Sequence, residues 1–321
     1  MNNLALFVGI IFAVSVGFEN FCEGKGMDKD VNSKKVLRLV YPQWQGGKID
    51  HWITEIKNPE DSSRGYFLGA RLLNFLAPES GHKTVEVPVS LEAGEREAVD
   101  GVLDRDIIAK QTRAALEILR AENPEKIVTL GGECSVSVVP FSYLAQKYGG
   151  DVAVVWIDAH PDITLPGDAY SGYHAMAVTA LMGDGDGKIL SALPAKIPPS
   201  RILLAGIRNW ERDEIRERQK RYGIRHFARE DFGADFKAVR DWLKSCGASK
   251  VLVHFDMDAL DPAEIVAAVG TDPDGMSIDS VVGLINAIAS EKELVGLTVA
   301  EPMPRTAIRI KNMLDRLPLL K

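Results

Sequence analysis

From residue 36 onward the chain alternates short, β-branched apolar runs with longer amphipathic stretches, and this alternation limits its fold more than any other feature. The apolar runs cover residues 36–41, 84–89, 126–130, 152–157, 201–207, 224–227, 250–255 and 294–299. Helical spacing is clearest over 107–119, where Ile107, Ala114, Ala115, Ile118 and Leu119 share a face, and over 281–289. Strands separated by helix-length segments are joined by crossovers. The pattern therefore predicts an α/β chain, a three-layer α/β/α fold with a mainly parallel sheet of roughly eight strands. Ligands of such sheets bind beyond the carboxyl ends of the strands, so the polar residues just after each apolar run are the ones to collect.

Those residues form a short set. "LGGECSVS" (130–137) follows one run, "DAHPD" (158–162) the next, "FDMDALDP" (255–262) a third, and Glu301 closes the last. A Gly-Gly pair before an acid and a thiol is compatible with a phosphate cradle, a nucleophile turn or the edge of a metal site. The chain has neither GxxxxGK nor GxGxxG, which removes the nucleotide-binding loops. Read as a strand running out of the sheet, "VVWIDAHPD" places Asp158 and His160 on one face, roughly 6 to 7 Å apart. Pro161 then breaks the ladder and lets Asp162 turn back. The same alternation puts Asp256 and Asp258 together. Buried carboxylates gathered at one point repel one another unless a cation neutralises them. An oxygen-rich set with imidazole suits Mn²⁺ or a similar divalent ion better than a structural zinc, and bridging acids provide for two ions.

Composition narrows the alternatives. Of 321 residues, 46% are hydrophobic and 26% charged, which supplies a full core and excludes a disordered chain. The net charge of −7, with Lys and Arg scattered along the chain, gives no general attraction to nucleic acid or anionic membrane. Cys22, Cys134 and Cys246 are odd in number and form no CxxC pair, so neither a disulfide framework nor a zinc ribbon is indicated, and a cytoplasmic, reducing setting is expected. Residues 4–18 (LALFVGIIFAVSVGF) have the length of a signal h-region without a preceding Lys or Arg. Residues 1–26 are accordingly set apart as a leader or appendage, and 27–321 are read as one catalytic domain.

In the order "GGECS", "DAHPD", "SGYHAM", "FDMDALDP" and "VAEPMP", the chain resembles the ureohydrolase family, which includes arginase, agmatinase and formimidoylglutamase. The resemblance runs from about residue 36 to the end. It implies an arginase-like α/β/α fold, a binuclear Mn²⁺ centre, and hydrolysis of a C–N bond in a linear guanidino or amidino compound by a metal-bridging hydroxide, with urea or formamide released. It also implies a small guanidino-type substrate as the partner and a homo-oligomer, trimer or hexamer. Carried over by position, the more buried ion takes Cys134, Asp158, Asp162 and Asp256, and the second takes Asp158, His160, Asp256 and Asp258. His174 resembles the histidine that shuttles protons at the leaving amine, and Glu301 the acid that anchors the guanidinium. Ser171 in "SGYH" and Glu211 in "GIRNWERDE" resemble residues that contact the rest of the substrate.

The chain also departs from the family. The usual Gly-Gly-Asp-His-Ser is here Gly-Gly-Glu-Cys-Ser, so the first ligand is a thiol, a softer donor than Mn²⁺ prefers. His254 stands two residues before Asp256, where the family commonly has serine, and so either reaches the metals or supports them from behind. "SGYH" is one residue shorter than the arginase pattern, and Thr164 replaces an asparagine. Agmatinase- or formimidoylglutamase-like hydrolysis is the nearest alternative. A family member that has lost catalysis through the Cys134 change, and serves as a binding or regulatory subunit, is the alternative from another class.

Overall fold

A computed structural model describes residues 36–49, 51–53, 59–92 and 96–319; the segment 4–18 and Cys22 lie outside the described residues. Eight strands form one fully parallel sheet: β1 (Val36–Tyr41), β2 (Lys83–Glu86), β5 (Lys126–Gly131), β6 (Val152–Ile157), β7 (Ile202–Ala205), β8 (Arg225–Phe227), β9 (Lys250–Asp256) and β10 (Glu293–Ala300). Their spatial order is β2-β1-β5-β10-β9-β6-β7-β8. Each of the eight apolar runs overlaps one of these strands. The runs at 84–89, 201–207 and 224–227 shrink to three or four paired residues because they lie towards the sheet edges, where fewer ladder bonds hold the ends. A small antiparallel ladder, β3 (Ala98–Val99) with β4 (Val102–Leu103), was not expected; two residues per strand leave no periodicity to read.

Alternation along the central strands sorts side chains to two faces. Val154, Trp156, Ile202, Leu204 and Leu252 join a core with Ile108, Ala115 and Leu119 of α2 (Arg105–Glu122), Phe141 and Leu144 of α3 (Val138–Lys147), and Val178 and Leu181 of α4 (Ala177–Met182). Val155, Ile157, Leu203, Ala205, Val251 and Val253 face the other way. They pack against Val239 and Leu243 of α7 (Lys237–Ser245) and Val281, Leu284 and Ile288 of α8 (Ile278–Glu291). A third cluster, around Trp44 and Tyr66, joins α1 (Pro59–Leu76) to α9 (Arg305–Leu314). The short helices α5 (Gly187–Leu190) and α6 (Asp213–Tyr222) complete the series. The three-layer expectation holds, with one shift: α2 buries Ile108, Ala115, Leu116 and Leu119, while Ile107, Ala114 and Ile118 flank that stripe half-buried. Among the described residues no helix is long and apolar enough to cross a membrane.

The carboxyl ends of β1, β5 and β10 are stitched together beyond the sheet. Gly132 donates its N–H to the Tyr41 carbonyl (2.9 Å), Glu133 to the Gln43 carbonyl (3.0 Å), and Glu301 to the Gly132 carbonyl (2.7 Å). A glycine is required at 132 because of space: a Cβ there would lie 1.8 Å from the Gln43 carbonyl oxygen. Gly132→Ala should therefore lower stability by about 2 kcal/mol or more. Gly187→Ala, with nothing within 4 Å of the added methyl, should stay within about 1 kcal/mol of the wild type. Urea unfolding midpoints measured at constant m-value compare the two.

Candidate metal centre and active site

The four central strands, β5, β10, β9 and β6, are the four whose carboxyl ends carry the acids, thiol and imidazoles. Their loops meet at one end of a cavity of 580 Å³, whose lining includes Cys134, His160, Asp162, His174, Asp256, Asp258 and Glu301. That volume holds a small organic substrate.

Asp158 and Asp256 are placed by the same local device. β6 ends at Ile157 and β9 at Asp256, and in each case the chain bends sharply at the next residues. His160 donates its N–H to Asp158 Oδ1 and Asp258 donates its N–H to Asp256 Oδ1, both at 2.6 Å. These are side chain-to-backbone turns closed two residues on. Continued strand alternation, the expected cause of the Asp158/His160 and Asp256/Asp258 proximity, is thus replaced by a pair of turns. Trp156 Nε1 donates to Asp158 Oδ2 (2.9 Å) and orients the carboxylate from below. Asp258 accepts from the Ala159 N–H (3.1 Å) and faces His160 Nδ1 at 2.9 Å, which joins the two loops.

Two groups of ligand-capable atoms result, each with its atoms within 4.8 Å of one another: Cys134, Asp158, His254 and Asp256 deep in the protein, and Asp158, His160 and Asp258 nearer the cavity. Asp158 is common to both. Asp162 falls outside these sets, yet its Oδ2 is buried and has no hydrogen-bond partner, as is His254 Nε2. A third set, Cys134 with His174 and Glu301, connects the inner group to the cavity wall.

The electrostatics show what this arrangement lacks. Burial, followed by the charge of Asp258, pushes Asp158 up to about 7. Burial and the neighbouring acids also raise Asp162 and Asp256 well above the usual carboxylate range. The Cys134 thiol is pushed up by burial and by Asp162, Asp256, Glu301 and Asp158, and it sits 2.9 Å from Asp256 Oδ2. Each shift marks a negative charge that the protein alone does not compensate, as expected where a cation belongs. Asp258 is the exception: burial would raise it, but the charge and hydrogen bond of His160 hold it low. Burial keeps His254 neutral, with its pKa lowered to about 3, the state in which imidazole binds metal.

His174 lies above this centre. Its Nδ1 is 3.2 Å from Glu301 Oε1 and its Nε2 is 2.6 Å from the Tyr170 hydroxyl, which also accepts the Lys48 N–H at 3.1 Å. Burial would lower the His174 pKa, but the hydrogen bond and charge of Glu301 outweigh it and the net shift is upward. Glu301 Oε1 also accepts the Cys134 N–H (3.1 Å). Asp162, Glu211 and Glu301 all adopt left-handed backbone, φ +49°, +59° and +62°, a cost that clusters at functional positions.

Glu211 lines the cavity near its mouth. Ser171 does not line it; its carbonyl accepts the Leu103 N–H, and Tyr170 takes the wall beside His174. Thr164 lines the cavity, but its hydroxyl is committed to the Ala175 carbonyl (2.7 Å). Sequence reasoning missed Tyr170, Trp156, Ser137 and Asp272. Asp272 Oδ2 is 3.3 Å from His160 Nε2, on the ring edge opposite Asp258, and its Oδ1 accepts Asn209 Nδ2 at 2.8 Å. This carboxylate–histidine contact is the kind that orients a metal-binding imidazole. Only the Asp-Pro turn at 272–273 could have drawn attention to it.

Comparison with known proteins identifies relatives of the chain. The arginase family profile matches residues 82–313. The mitochondrial arginase 1 of Arabidopsis thaliana is 27% identical over 234 residues, 71% of this chain and 64% of its own length. The arginase of Entamoeba histolytica is 30% identical over 197 residues, 59% of this chain and 66% of its own. The match therefore spans slightly under two thirds of these curated relatives. The crystal structure of the Entamoeba histolytica arginase in complex with L-ornithine superposes with a TM-score of 0.68 at 21% identity, over 85% of this chain and 92% of that one, and shows the same fold. With the profile covering well over half of its length, the chain belongs to the arginase family.

Proposed function

We propose that the protein is a metal-dependent hydrolase that cleaves a C–N bond of a linear guanidino or amidino compound, releasing urea from a guanidino substrate as an arginase does. Agmatinase- and formimidoylglutamase-like substrates belong to the same chemical class. The observation that carries this reading is Asp158, shared between an inner and an outer group of ligand-capable residues, the inner one linked through Cys134 to the paired His174 and Glu301.

The residues fit two divalent ions, with Mn²⁺ the family's choice. The acids and thiol are buried with their charge uncompensated, and Asp162 Oδ2 and His254 Nε2 have no partner within the protein. Cys134, Asp158, Asp162 and Asp256 would hold one ion, with His254 beside them; Asp158, His160, Asp256 and Asp258 would hold the other. When bound, the pair would supply Lewis acidity and a water of lowered pKa as the nucleophile for the guanidino carbon.

The chain's own groups do the rest. Glu301, held rigidly by the Cys134 N–H, presents a carboxylate to the planar N–H edge of the guanidinium. Collapse of the tetrahedral adduct requires a proton on the departing amine, and His174 is the imidazole placed to give it. The Tyr170 oxygen receives both the Lys48 N–H and, from protonated His174, the Nε2–H. That contact holds the ring with Nδ1 towards Glu301, and Nδ1 is the nitrogen whose proton is given up. Trp52, Trp210 and Glu211, nearer the mouth, receive the substrate's tail.

Three outcomes test the reading. Metal-loaded protein should release urea from at least one member of a panel containing L-arginine, agmatine and guanidino acids; no release after Mn²⁺, Ni²⁺ or Zn²⁺ loading would instead favour a non-catalytic binding subunit. The upward shift of His174 keeps its acid form populated above its ordinary value of about 6.5. Activity that needs this acid is present below the raised value and lost as pH rises through it, so the alkaline limb of kcat/KM should lie above pH 6.5. His174→Asn should abolish the limb and lower kcat about 10²- to 10⁴-fold. Asp272→Asn, which removes the charge that orients His160, should weaken binding of the outer ion about 10- to 100-fold by equilibrium dialysis.

A further inference from the structure

The inner ligand group differs in kind from the outer one, and the difference centres on His254. The imidazole is fully buried and stacks on Trp156, ring centroids 3.6 Å apart and planes within 10°. Ser137 Oγ lies 2.7 Å from its Nδ1, which leaves Nε2 without a partner. A buried ring nitrogen left unpaired is costly. The ring also contributes an atom to a set lying within 4.8 Å of one another, the others being the Cys134 sulfur and carboxylate oxygens of Asp158 and Asp256. With Nδ1 turned to Ser137, Nε2 is the nitrogen the ring offers.

Resting on the binuclear reading above, we infer that His254 binds the inner ion through Nε2, giving a site of thiolate, imidazole and carboxylates that selects a borderline ion such as Zn²⁺ or Co²⁺ over Mn²⁺. The outer position keeps one imidazole and carboxylates alone. The loop histidine of the family is replaced here by Cys134, and the strand position that commonly carries serine has gained an imidazole, so a nitrogen donor has moved from loop to strand while a sulfur donor has been added. Cys134, His254 and the two aspartates make a four-donor set, and donors of this softness rank such ions above Mn²⁺. Ser137 is a positioning residue: by accepting the Nδ1–H it fixes the tautomer whose Nε2 lone pair faces the ion.

Metal-free full-length protein loaded with Co²⁺ alone tests the assignment, by bound-metal analysis and by optical and X-ray absorption. Two Co²⁺ per chain are expected, with a thiolate-to-cobalt charge-transfer band that Cys134→Ser removes. X-ray absorption of the wild type should average one imidazole per cobalt; half an imidazole per cobalt would mean that His160 alone contributes, and would overturn the assignment without requiring any variant to fold. His254→Gln should lose the inner equivalent, or bind it at least tenfold more weakly, while keeping the outer one. An unchanged spectrum and stoichiometry in that variant would also overturn it. The exchange Cys134→His with His254→Ser should raise Mn²⁺ retention relative to Zn²⁺ at least tenfold, and no change in preference would count against the selectivity. If the wild type takes up no Co²⁺, Mn²⁺ or Zn²⁺ at all, it is the binuclear reading itself that fails.

Discussion

Four aspartates buried around a common point set the terms for the rest of this molecule. Asp158, Asp162, Asp256 and Asp258 have almost no solvent exposure, and no arrangement of backbone dipoles fully offsets so much like charge in so small a volume. Only Asp258, facing His160, is held in its ionised form by the protein alone. Hydrogen bonds from the surroundings fix the positions of the neighbouring carboxyl groups. Trp156 and the His160 N–H hold Asp158, the Asp258 N–H holds Asp256, and Arg208 donates to the carbonyls of both Asp258 and Asp272. Glu133, also buried, has a different role. Its carboxylate accepts from Gln43, from the Ser135 N–H and from the Ser135 hydroxyl, and so braces the turn that presents Cys134.

What sequence reasoning captured follows from the physics of parallel sheets. Buried on both faces, the central strands are nearly continuous apolar runs, and anything polar at their carboxyl ends stands out. Asp158, His160, Asp256, Asp258 and Glu301 were visible for that reason. The cause of their convergence was not, because it depends on turns closed by single side chain-to-backbone hydrogen bonds, which leave no periodic trace. The roles of Tyr170 and Asp272 depend on where irregular loops return in space. Trp156 reads as one more core aromatic until its neighbours are known: its indole N–H reaches Asp158 and its ring face carries His254.

The same loops explain why substrate preference is harder to read than chemistry. The end of the cavity lined by acids, thiol and imidazoles is fixed by strand ends. Its outer wall is formed by residues from the 48–53, 164–175, 209–215 and 266–273 segments, and there Tyr170 rather than Ser171 faces the space. With the short "SGYH" turn, Tyr170 forms the wall beside His174, which keeps its contacts with Glu301 and Tyr170.

The order of strands in the sheet has a consequence for how the molecule comes together. β9 and β10, the last two strands made, lie between β5 and β6, which are joined directly by α3 in the sequence but are not neighbours in the sheet. A chain synthesised only as far as β8 can form two three-stranded half-sheets, β2-β1-β5 and β6-β7-β8, each with an open inner edge. Cys134 would stand on one half and Asp158 on the other. The crowding of acids arises only when β9 inserts and brings Asp256 and Asp258 beside Asp158. Closure of the sheet and convergence of the ligand-capable side chains therefore depend on the same strand pairings, β10 with β5 and β9 with β6.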